Sequence, residues 1–120
     1  EIYLAGIPDL FSGKNYGKNA DLSQAFAQAE DNQFRLLMSH TPVDFGKDNI
    51  FDLEVSGHTH GGQIFPFHVL AKLHNRYLAG LYQMENGAQI YVTRGAGQWG
   101  PQMRFLAPSE ITVIRLASLK

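Results

Sequence analysis

The sequence has 120 residues, of which 44% are apolar and 18% are charged, values typical of one globular domain. Ten lysines and arginines against eleven acidic residues give a net charge of −1, which excludes the basic surface of most nucleic-acid-binding domains. The absence of cysteine excludes disulfide scaffolds, zinc ribbons and cysteine nucleophiles. No apolar run approaches the about 18 residues of a membrane-spanning helix. Because a strand-like run follows Glu1 directly, we expect residues 1–120 to be a single domain that belongs to a longer protein.

The first half of the sequence alternates strand-like and helix-like segments. Apolar residues at helical spacing follow Asp21, which fits the N-cap position of a helix. The predicted elements are a strand at 2–6, a loop at 12–18, a helix at 22–30, a strand at 34–39, a helical turn within 43–50 and a strand at 51–56.

The second half of the sequence favours a β-hairpin. Asn86 followed by Gly87 is a strong signal for a tight turn between two strands. The predicted elements are an irregular segment at 64–76, strands at 77–84 and 88–93, a glycine-rich loop at 94–101 and a last strand at 111–116. About six strands and one or two helices in this order predict a mixed α/β fold.

The most informative segment is GHTHGGQ, residues 57–63, which follows a predicted strand. On an extended backbone, His58 and His60 point to the same side and can converge on one metal ion. The neighbouring glycines allow the backbone to turn sharply beside a ligand. Neutral imidazole suits Zn, Fe, Ni and Mn ions when carboxylates complete the site. The alternative is a solvent-exposed turn that contains two histidines by chance.

His40 lies at the end of another predicted strand, two residues before Pro42. Ligands of α/β proteins collect beyond the carboxyl ends of the strands. If the two strands are neighbours, His40 joins His58 and His60 at one edge of the sheet. Considered alone, His40 fits a capped or core histidine as well.

These motifs resemble the calcineurin-like metallophosphoesterase family. The similar segments are HTP at 40–42, SGHTHGGQ at 56–63, YVTRGAG at 91–97, RF at 104–105 and PSEI at 108–111. They resemble most a bacterial, often membrane-associated subgroup, and the localisation of this protein stays open. The resemblance implies hydrolysis of a phosphomonoester or phosphodiester on a four-layer α/β/β/α sandwich. This chain would be the C-terminal portion of that catalytic domain and supply one sheet and its helix.

The resemblance also implies a dinuclear metal site. In it, His40 and His58 would ligate one divalent ion and His60 the other, the ions being Mn, Fe, Zn or Ni. The ions would polarise the phosphoryl group and supply the attacking hydroxide. The family motifs Asp-x-His, Gly-Asp-x-x-Asp and Gly-Asn-His, which provide most other ligands, do not occur in this sequence. We therefore identify no catalytic acid or base here and expect the isolated chain to be inactive.

Two other functions compete with a hydrolase. The chain is alternatively a non-catalytic module that binds a metal or ligand at the same edge of the sheet. The second rival is a structural or interaction domain, which predicts that replacing His58 leaves metal uptake unchanged.

The resemblance implies partners as well as a phosphate-ester substrate. In the family fold, one apolar face of this sheet packs against the other half of the domain. We therefore expect the missing N-terminal half, a homodimer or strand exchange to cover that face, and no nucleic acid.

Four apolar residues of the irregular segment have two interpretations. Phe65, Phe67, Leu70 and Leu73 fit a hydrophobic flap for a lipid-like substrate, or core packing under a loop, which we favour. His68 and His74, in the same segment, fit a surface or local structural role.

The glycine-rich loop and its neighbours carry weaker signals. Arg94 is a candidate for binding the anionic substrate, although a solvated charge explains it too. Residues 95–100 match GxGxxG, but Pro101 follows where a dinucleotide site begins a helix, so we reject nucleotide binding. Trp99 fits substrate stacking or loop packing, and Gln63 fits ligand orientation or a backbone contact.

Overall fold

The structure, a computed structural model, describes residues 1–9, 21–74 and 76–117. It confirms the mixed α/β fold, with one five-stranded sheet and two short helices among these residues. The elements are β1 (Ile2–Gly6), α1 (Leu22–Ala25), β2 (Phe34–Met38), β3 (Leu53–Ser56), α2 (Phe67–His74), β4 (Gly80–Gln83) and β5 (Gln89–Val92). The predicted loop at 12–18 lies outside the described residues, and so does the side chain of His74.

The sheet has the strand order β1-β2-β3-β5-β4. Strands β1, β2, β3 and β5 are parallel, and β4 pairs antiparallel with β5. The predicted hairpin is confirmed, since the Met84 N–H donates to the Ala88 carbonyl at 2.8 Å and Gly87 has a φ of 92°. The four parallel strands all end at the same edge, where α/β proteins bind their ligands.

One face of the sheet is covered by α1 and the loops around it. Leu22 and Phe26 bury their side chains against this face. The ring of Phe26 lies 5.9 Å from that of Tyr3 on β1. The buried strand residues of the same core cluster are Ala5, Leu37, Ile90 and Val92.

Helix α1 is shorter than predicted. Asp21 is the N-cap, as expected, because its side chain accepts a hydrogen bond from the Gln24 N–H at 3.0 Å. The α-helix ends at Ala25, and the Ala29 N–H bonds back to the Phe26 carbonyl in a tight turn. A single helical turn already buries both Leu22 and Phe26, and tertiary packing rather than propensity decides the length of so short a helix.

The prediction of an irregular segment at 64–76 is wrong, because α2 occupies most of it. Pro66 precedes the helix, and its carbonyl accepts the Val69 N–H at 2.9 Å. Proline suits the start of a helix, since the first N–H groups have no partner within the helix. No helix of the described residues has the length and apolar character needed to cross a membrane.

The prediction of a last strand at 111–116 is also wrong. These residues pair with no strand of the described sheet, and Ile111 and Val113 are 90% and 91% exposed. The segment is attached instead by side chains, since Tyr91 Oη lies 2.9 Å from Glu110 Oε1 and 3.1 Å from Thr112 Oγ1. β-branched residues favour a strand only where a neighbour satisfies the backbone groups.

The second face of the sheet is only partly covered in the described part of the chain, since Leu53 of β3 is buried there and other apolar side chains are exposed. By strand register, Ile2 and Leu4 of β1 lie on the same face as Met38 of β2 and Leu81 of β4. Each of these side chains is more than half exposed. The resemblance implies such a face, and the partner that covers it remains a prediction.

Glu54 of β3 is a charged residue inside the covered face. Its side chain is fully buried, and Oε1 accepts the Val43 N–H at 3.1 Å. Burial raises the pKa of Glu54 from 4.5 to about 7, with the Val43 hydrogen bond opposing the shift. The folded state therefore binds a proton that the unfolded chain releases between these two pH values.

We predict that the stability of the chain decreases as the pH rises from 4.5 to about 7 because of Glu54. The protonated carboxyl is favoured in the fold, so its contribution is complete below pH 4.5 and lost above about 7. The free energy of unfolding of Glu54→Gln, relative to that of the native protein, should therefore rise by on the order of 3 kcal/mol across this window. Urea unfolding at several pH values measures the difference.

The matched control for this experiment is Glu85→Gln, which removes an exposed carboxyl from the hairpin turn. It should reproduce the pH profile of the native protein. Parallel profiles for the native protein and Glu54→Gln would contradict the prediction.

Candidate metal centre

The candidate site lies at the carboxyl ends of the parallel strands. His40 follows β2 by two residues, and His58 follows β3 by two residues. The two strands are parallel neighbours, as predicted, and the Gly57 N–H donates to the His40 carbonyl at 3.1 Å. The loops after β1 and β5 bring Asp9 and Arg94 to the same edge.

His40 and His58 lie in direct contact. His40 Nε2 and His58 Nδ1 are 3.0 Å apart, and the two ring planes are nearly perpendicular. Two nitrogen atoms bound to one metal at about 2.0–2.1 Å lie roughly 2.9–3.4 Å apart when their angle is between square and tetrahedral. The separation therefore fits two ligands of one ion, and it also fits a hydrogen bond between the rings without the ion.

The electrostatic surroundings of His58 favour its neutral form. Burial lowers the pKa of His58, and a positive charge on His40 or His60 lowers it further, whereas Asp9 raises it. Neutral imidazole is the form that binds a metal ion. Asp9 also accepts a hydrogen bond from Thr41 Oγ1 at 2.9 Å, next to His40 in sequence.

The predicted extended backbone of the HxH segment is wrong. His58 and His60 both have left-handed backbones, with φ values of 67° and 49°, and Gln63 also has a φ of 49°. These are three of the four non-glycine residues with positive φ in the described part of the chain. Such conformations cost about 1–3 kcal/mol each and cluster at functional sites. The turn, not a strand, sets the directions of the two rings.

His60 is held separately from the other two histidines. Arg104 Nη2 lies 3.2 Å from His60 Nδ1, and Arg104 Nη1 donates to the His60 carbonyl at 3.2 Å. A guanidinium only donates, so this contact requires His60 Nδ1 to act as the acceptor. His60 lines the same cleft as His40 and His58.

The described residues do not form a complete metal site by themselves. No group of three or more His, Cys, Asp or Glu side chains in them is placed to hold an ion. The contact between His40 and His58 is therefore half of a site at most, and the ligand role of His60 stays a prediction.

Arg94, the predicted substrate-binding residue, lies beside the histidine turn but is not among the residues that line the cleft. Its guanidinium pairs with Glu110 Oε2 at 3.3 Å, and its N–H donates to Glu110 Oε1 at 3.1 Å. Hydrogen bonds from Arg94, Tyr91 and Thr93 hold the pKa of Glu110 below its usual value despite burial. Substrate binding by Arg94 stays a prediction.

The two glycines that follow His60 allow close packing on both sides of the turn. A Cβ at Gly61 would lie 2.9 Å from Cγ of Arg94. A Cβ at Gly62 would clash with the backbone of His68 in α2. Gly62 has a φ of 80°, which only glycine adopts without strain. The second glycine thus lets α2 pack directly against the histidine turn.

Gln63 makes backbone contacts, the simpler of its two interpretations. Its Nε2 donates to the Trp99 carbonyl at 2.7 Å, and its Oε1 accepts the Trp99 N–H at 2.9 Å. Gln63 is buried, so both bonds are shielded from water. The last residue of the motif therefore fixes the position of the loop that carries Trp99.

The sequence interpretation assigned no role to Arg104 or to Asp9. Arg104 also donates to the carbonyls of Arg94 at 2.8 Å and Gly95 at 3.1 Å, so it ties the glycine-rich loop to His60. Asp9 follows β1 by three residues. The position of Asp9 just after a parallel strand was the available signal, and for Arg104 it was the resemblance at residues 104–105, which does not reveal its distant partners.

We predict that Gly62→Ala destabilises the protein more than Gly87→Ala does. Both glycines have positive φ, which costs alanine about 1–2 kcal/mol. At Gly62 the added Cβ would also clash with a neighbouring residue, whereas at Gly87 it would lie in open space. Urea unfolding should show an additional loss of about 1–3 kcal/mol for Gly62→Ala. Equal losses would mean that α2 does not pack on the turn.

Comparison with known proteins gives several relatives. An uncharacterized metallophosphoesterase of Helicobacter pylori is 43% identical over 118 residues, 96% of this chain and 32% of the relative. An uncharacterized metallophosphoesterase of Bacillus subtilis is 37% identical over 124 residues, 98% of this chain and 41% of the relative. A transmembrane protein with metallophosphoesterase domain of Danio rerio is 37% identical over 122 residues, 96% of this chain and 28% of the relative.

No family model and no solved structure matches the chain. The chain spans between 28% and 41% of the length of these three relatives. Relatives at 37–43% identity match nearly the whole length of this chain and are named metallophosphoesterases, which supports the calcineurin-like metallophosphoesterase family for it.

Proposed function

We propose that this chain contributes the histidine half of a dinuclear metal site in a phosphoester hydrolase. The observation that carries the proposal is the 3.0 Å separation of His40 Nε2 and His58 Nδ1 at the carboxyl ends of adjacent parallel strands. The names of the relatives support phosphoesterase chemistry in general. The metal count, the metal identity and the role of His60 belong to the proposal.

The residues of this chain fit one ion of such a centre only in part. His40 and His58 would hold it through two imidazole nitrogens, which suits Mn, Fe, Zn or Ni when oxygen ligands complete the set. A divalent metal in this position supplies polarisation of the phosphoryl oxygen and activation of water. His60 would serve the second ion, which requires its ring to exchange the contact with Arg104 for the metal.

His40, His58 and His60 together are called the histidine rim. Other described residues would support this rim from outside. Arg104 attaches the backbone of His60 to the loop after β5, and Asp9 places a negative charge close to His58. Arg94, whose guanidinium pairs with Glu110, is a candidate cation for the phosphate if that ion pair opens. Outer partners of this kind typically change metal affinity by about 10- to 100-fold.

The missing ligands define what the isolated chain can do. Without bridging carboxylates, two or three neutral imidazoles leave the charge of two divalent ions uncompensated. The isolated chain is therefore proposed to bind one ion weakly and to hydrolyse nothing. A longer protein that adds the Asp and Asn ligands of the family would be the active hydrolase.

We predict that the chain binds Mn²⁺ or Zn²⁺ in calorimetric titrations and that His58→Ala abolishes most of this binding. Loss of a direct ligand should exceed the about 10- to 100-fold effect of losing an outer partner. His68→Ala is the matched control, because this histidine is not among the residues that line the cleft. Equal affinity for His58→Ala and native chain would contradict the assignment of the rim.

Hydrolysis separates the proposal from its rivals. With Mn²⁺, bis(p-nitrophenyl) phosphate should be stable to the isolated chain and cleaved by a longer protein that carries the upstream motifs. Hydrolysis by the isolated chain would show that its ligand set is already sufficient. Metal binding without hydrolysis by the longer protein would favour the non-catalytic binding module, for which the incomplete ligand set of the described residues is the supporting observation.

A further inference from the structure

The histidine rim opens onto a large cleft with apolar walls. The cleft has a volume of about 830 Å³, and its lining includes His40, His58 and His60. Its other lining residues include Ile64, Phe67, Leu70, Ala71, Trp99 and Pro101. The volume falls within the roughly 300–1,000 Å³ of small-molecule sites, and a phosphate group fills only a small part of it. The cleft therefore has room for a large group attached to the phosphate.

The apolar side chains of this cleft are exposed rather than packed in a core. Leu70 is 61% exposed and Trp99 is 67% exposed, and Phe67 is as exposed as Leu70. The expectation of core packing under a loop is therefore wrong for all four residues, Phe65, Phe67, Leu70 and Leu73. Contiguous exposed apolar groups of this kind mark binding surfaces.

The walls of the cleft are held in position by the motif itself. Gly62 allows the helix α2, which carries Phe67 and Leu70, to approach the histidine turn. Gln63 holds the backbone of Trp99 through two hydrogen bonds. The same seven-residue segment thus places the histidines and both apolar walls, which makes the cleft a continuation of the metal rim.

The remaining lining of the cleft offers little to a polar group. Among the described residues that line the cleft, no Asp, Glu, Lys or Arg is present. The hydroxyl and amide side chains of the lining are engaged, Thr59 with the Leu78 carbonyl and Gln63 with the backbone of Trp99. A sugar or nucleobase there would lose water contacts without replacement, whereas a hydrocarbon chain would lose none.

We infer that the substrate is an amphiphile, a phosphate ester whose apolar chain lies between Phe67, Leu70 and Trp99 while its phosphate reaches the histidines. The inference rests on the proposed phosphoesterase function, which it restricts to one class of substrate. The apolar walls are the reason for inferring a hydrocarbon part of the substrate, and the histidines are the reason for inferring its phosphate.

The test uses Trp99, the single tryptophan of the chain, as a local probe. Its fluorescence is titrated with butyl, octyl and dodecyl phosphate below their micelle concentrations, with and without Mn²⁺. Each added methylene that enters the cleft should raise the affinity by up to about fourfold. Dodecyl phosphate should therefore bind at least tenfold more tightly than octyl phosphate.

The variant Leu70→Ser should weaken the binding of dodecyl phosphate at least fivefold and leave butyl phosphate unaffected. Leu73→Ser is the matched control, since Leu73 lies on the same helix, is 80% exposed and does not line the cleft. Both side chains are exposed, so neither change removes a core contact. A dodecyl glucoside, which has the chain without the phosphate, should bind more weakly than dodecyl phosphate.

Equal affinities for butyl and dodecyl phosphate would overturn the inference, as would equal losses in Leu70→Ser and Leu73→Ser. A glucoside that binds as tightly as the phosphate would also overturn it, because the cleft would then be a general apolar surface. Light scattering tests whether a second copy of the chain occupies the cleft instead. A dimer that Leu70→Ser dissociates would show this and would overturn the inference.

These results are separable from the proposed function. Chain-length dependence without any effect of Mn²⁺ on affinity, and without hydrolysis by the longer protein, would leave an amphiphile-binding cleft and remove the phosphoesterase. Metal-dependent hydrolysis without chain-length dependence would leave the phosphoesterase and remove the amphiphile.

Discussion

The parallel register of β2 and β3 is the constraint on which the rest of the site depends. Met38 pairs with Val55, so His40 lies two residues and His58 three residues beyond the last pair of these strands. A shift of two residues, which preserves the faces of the strands, would move one histidine by about 6.6 Å along the sheet. The imidazole contact would then be lost, although the hydrophobic core would keep the same pattern. The geometry of the rim is therefore set by backbone pairing in the sheet.

The turn after β3 stores strain that its surroundings hold in place. Three residues with left-handed backbones lie within six positions, and each is tied to a different partner. His58 meets His40, His60 meets Arg104, and Gln63 is bonded to Trp99. The glycines at 61 and 62 allow the neighbouring elements to come close enough for these contacts. The motif connects three parts of the structure, since it positions two histidines, the helix α2 and the loop of Trp99 at the same time.

The two faces of the sheet have different roles. The face under α1 forms the core and contains Glu54, whose raised pKa records the cost of burying a carboxylate. The second face presents Met38 and Leu81 to solvent, together with residues of β1. The cleft beside α2 is a third apolar surface, separate from both faces because it begins at the edge of the sheet. The core, the second face and the cleft are thus three distinct surfaces of this short chain.

The sequence alone determined the features that depend on local pattern. The period of the apolar residues located the strands of the sheet, Asp21 marked the start of α1, and Asn86-Gly87 marked the hairpin. The motifs at 40–42 and 56–63 pointed to the family and to the candidate ligands. These signals are reliable because capping, turn formation and strand periodicity involve residues close together in the chain.

The tertiary structure decided whatever depends on distant partners. The segment at 111–116 has a strand pattern but no neighbour to pair with, and the helix α2 forms where the apolar spacing alone suggested none. The left-handed turn, the contact of Arg104 with His60 and the exposure of Leu70 each depend on what packs, or fails to pack, against that position. Backbone hydrogen bonds and burial are properties of pairs of segments, and a one-dimensional pattern describes only one member of each pair.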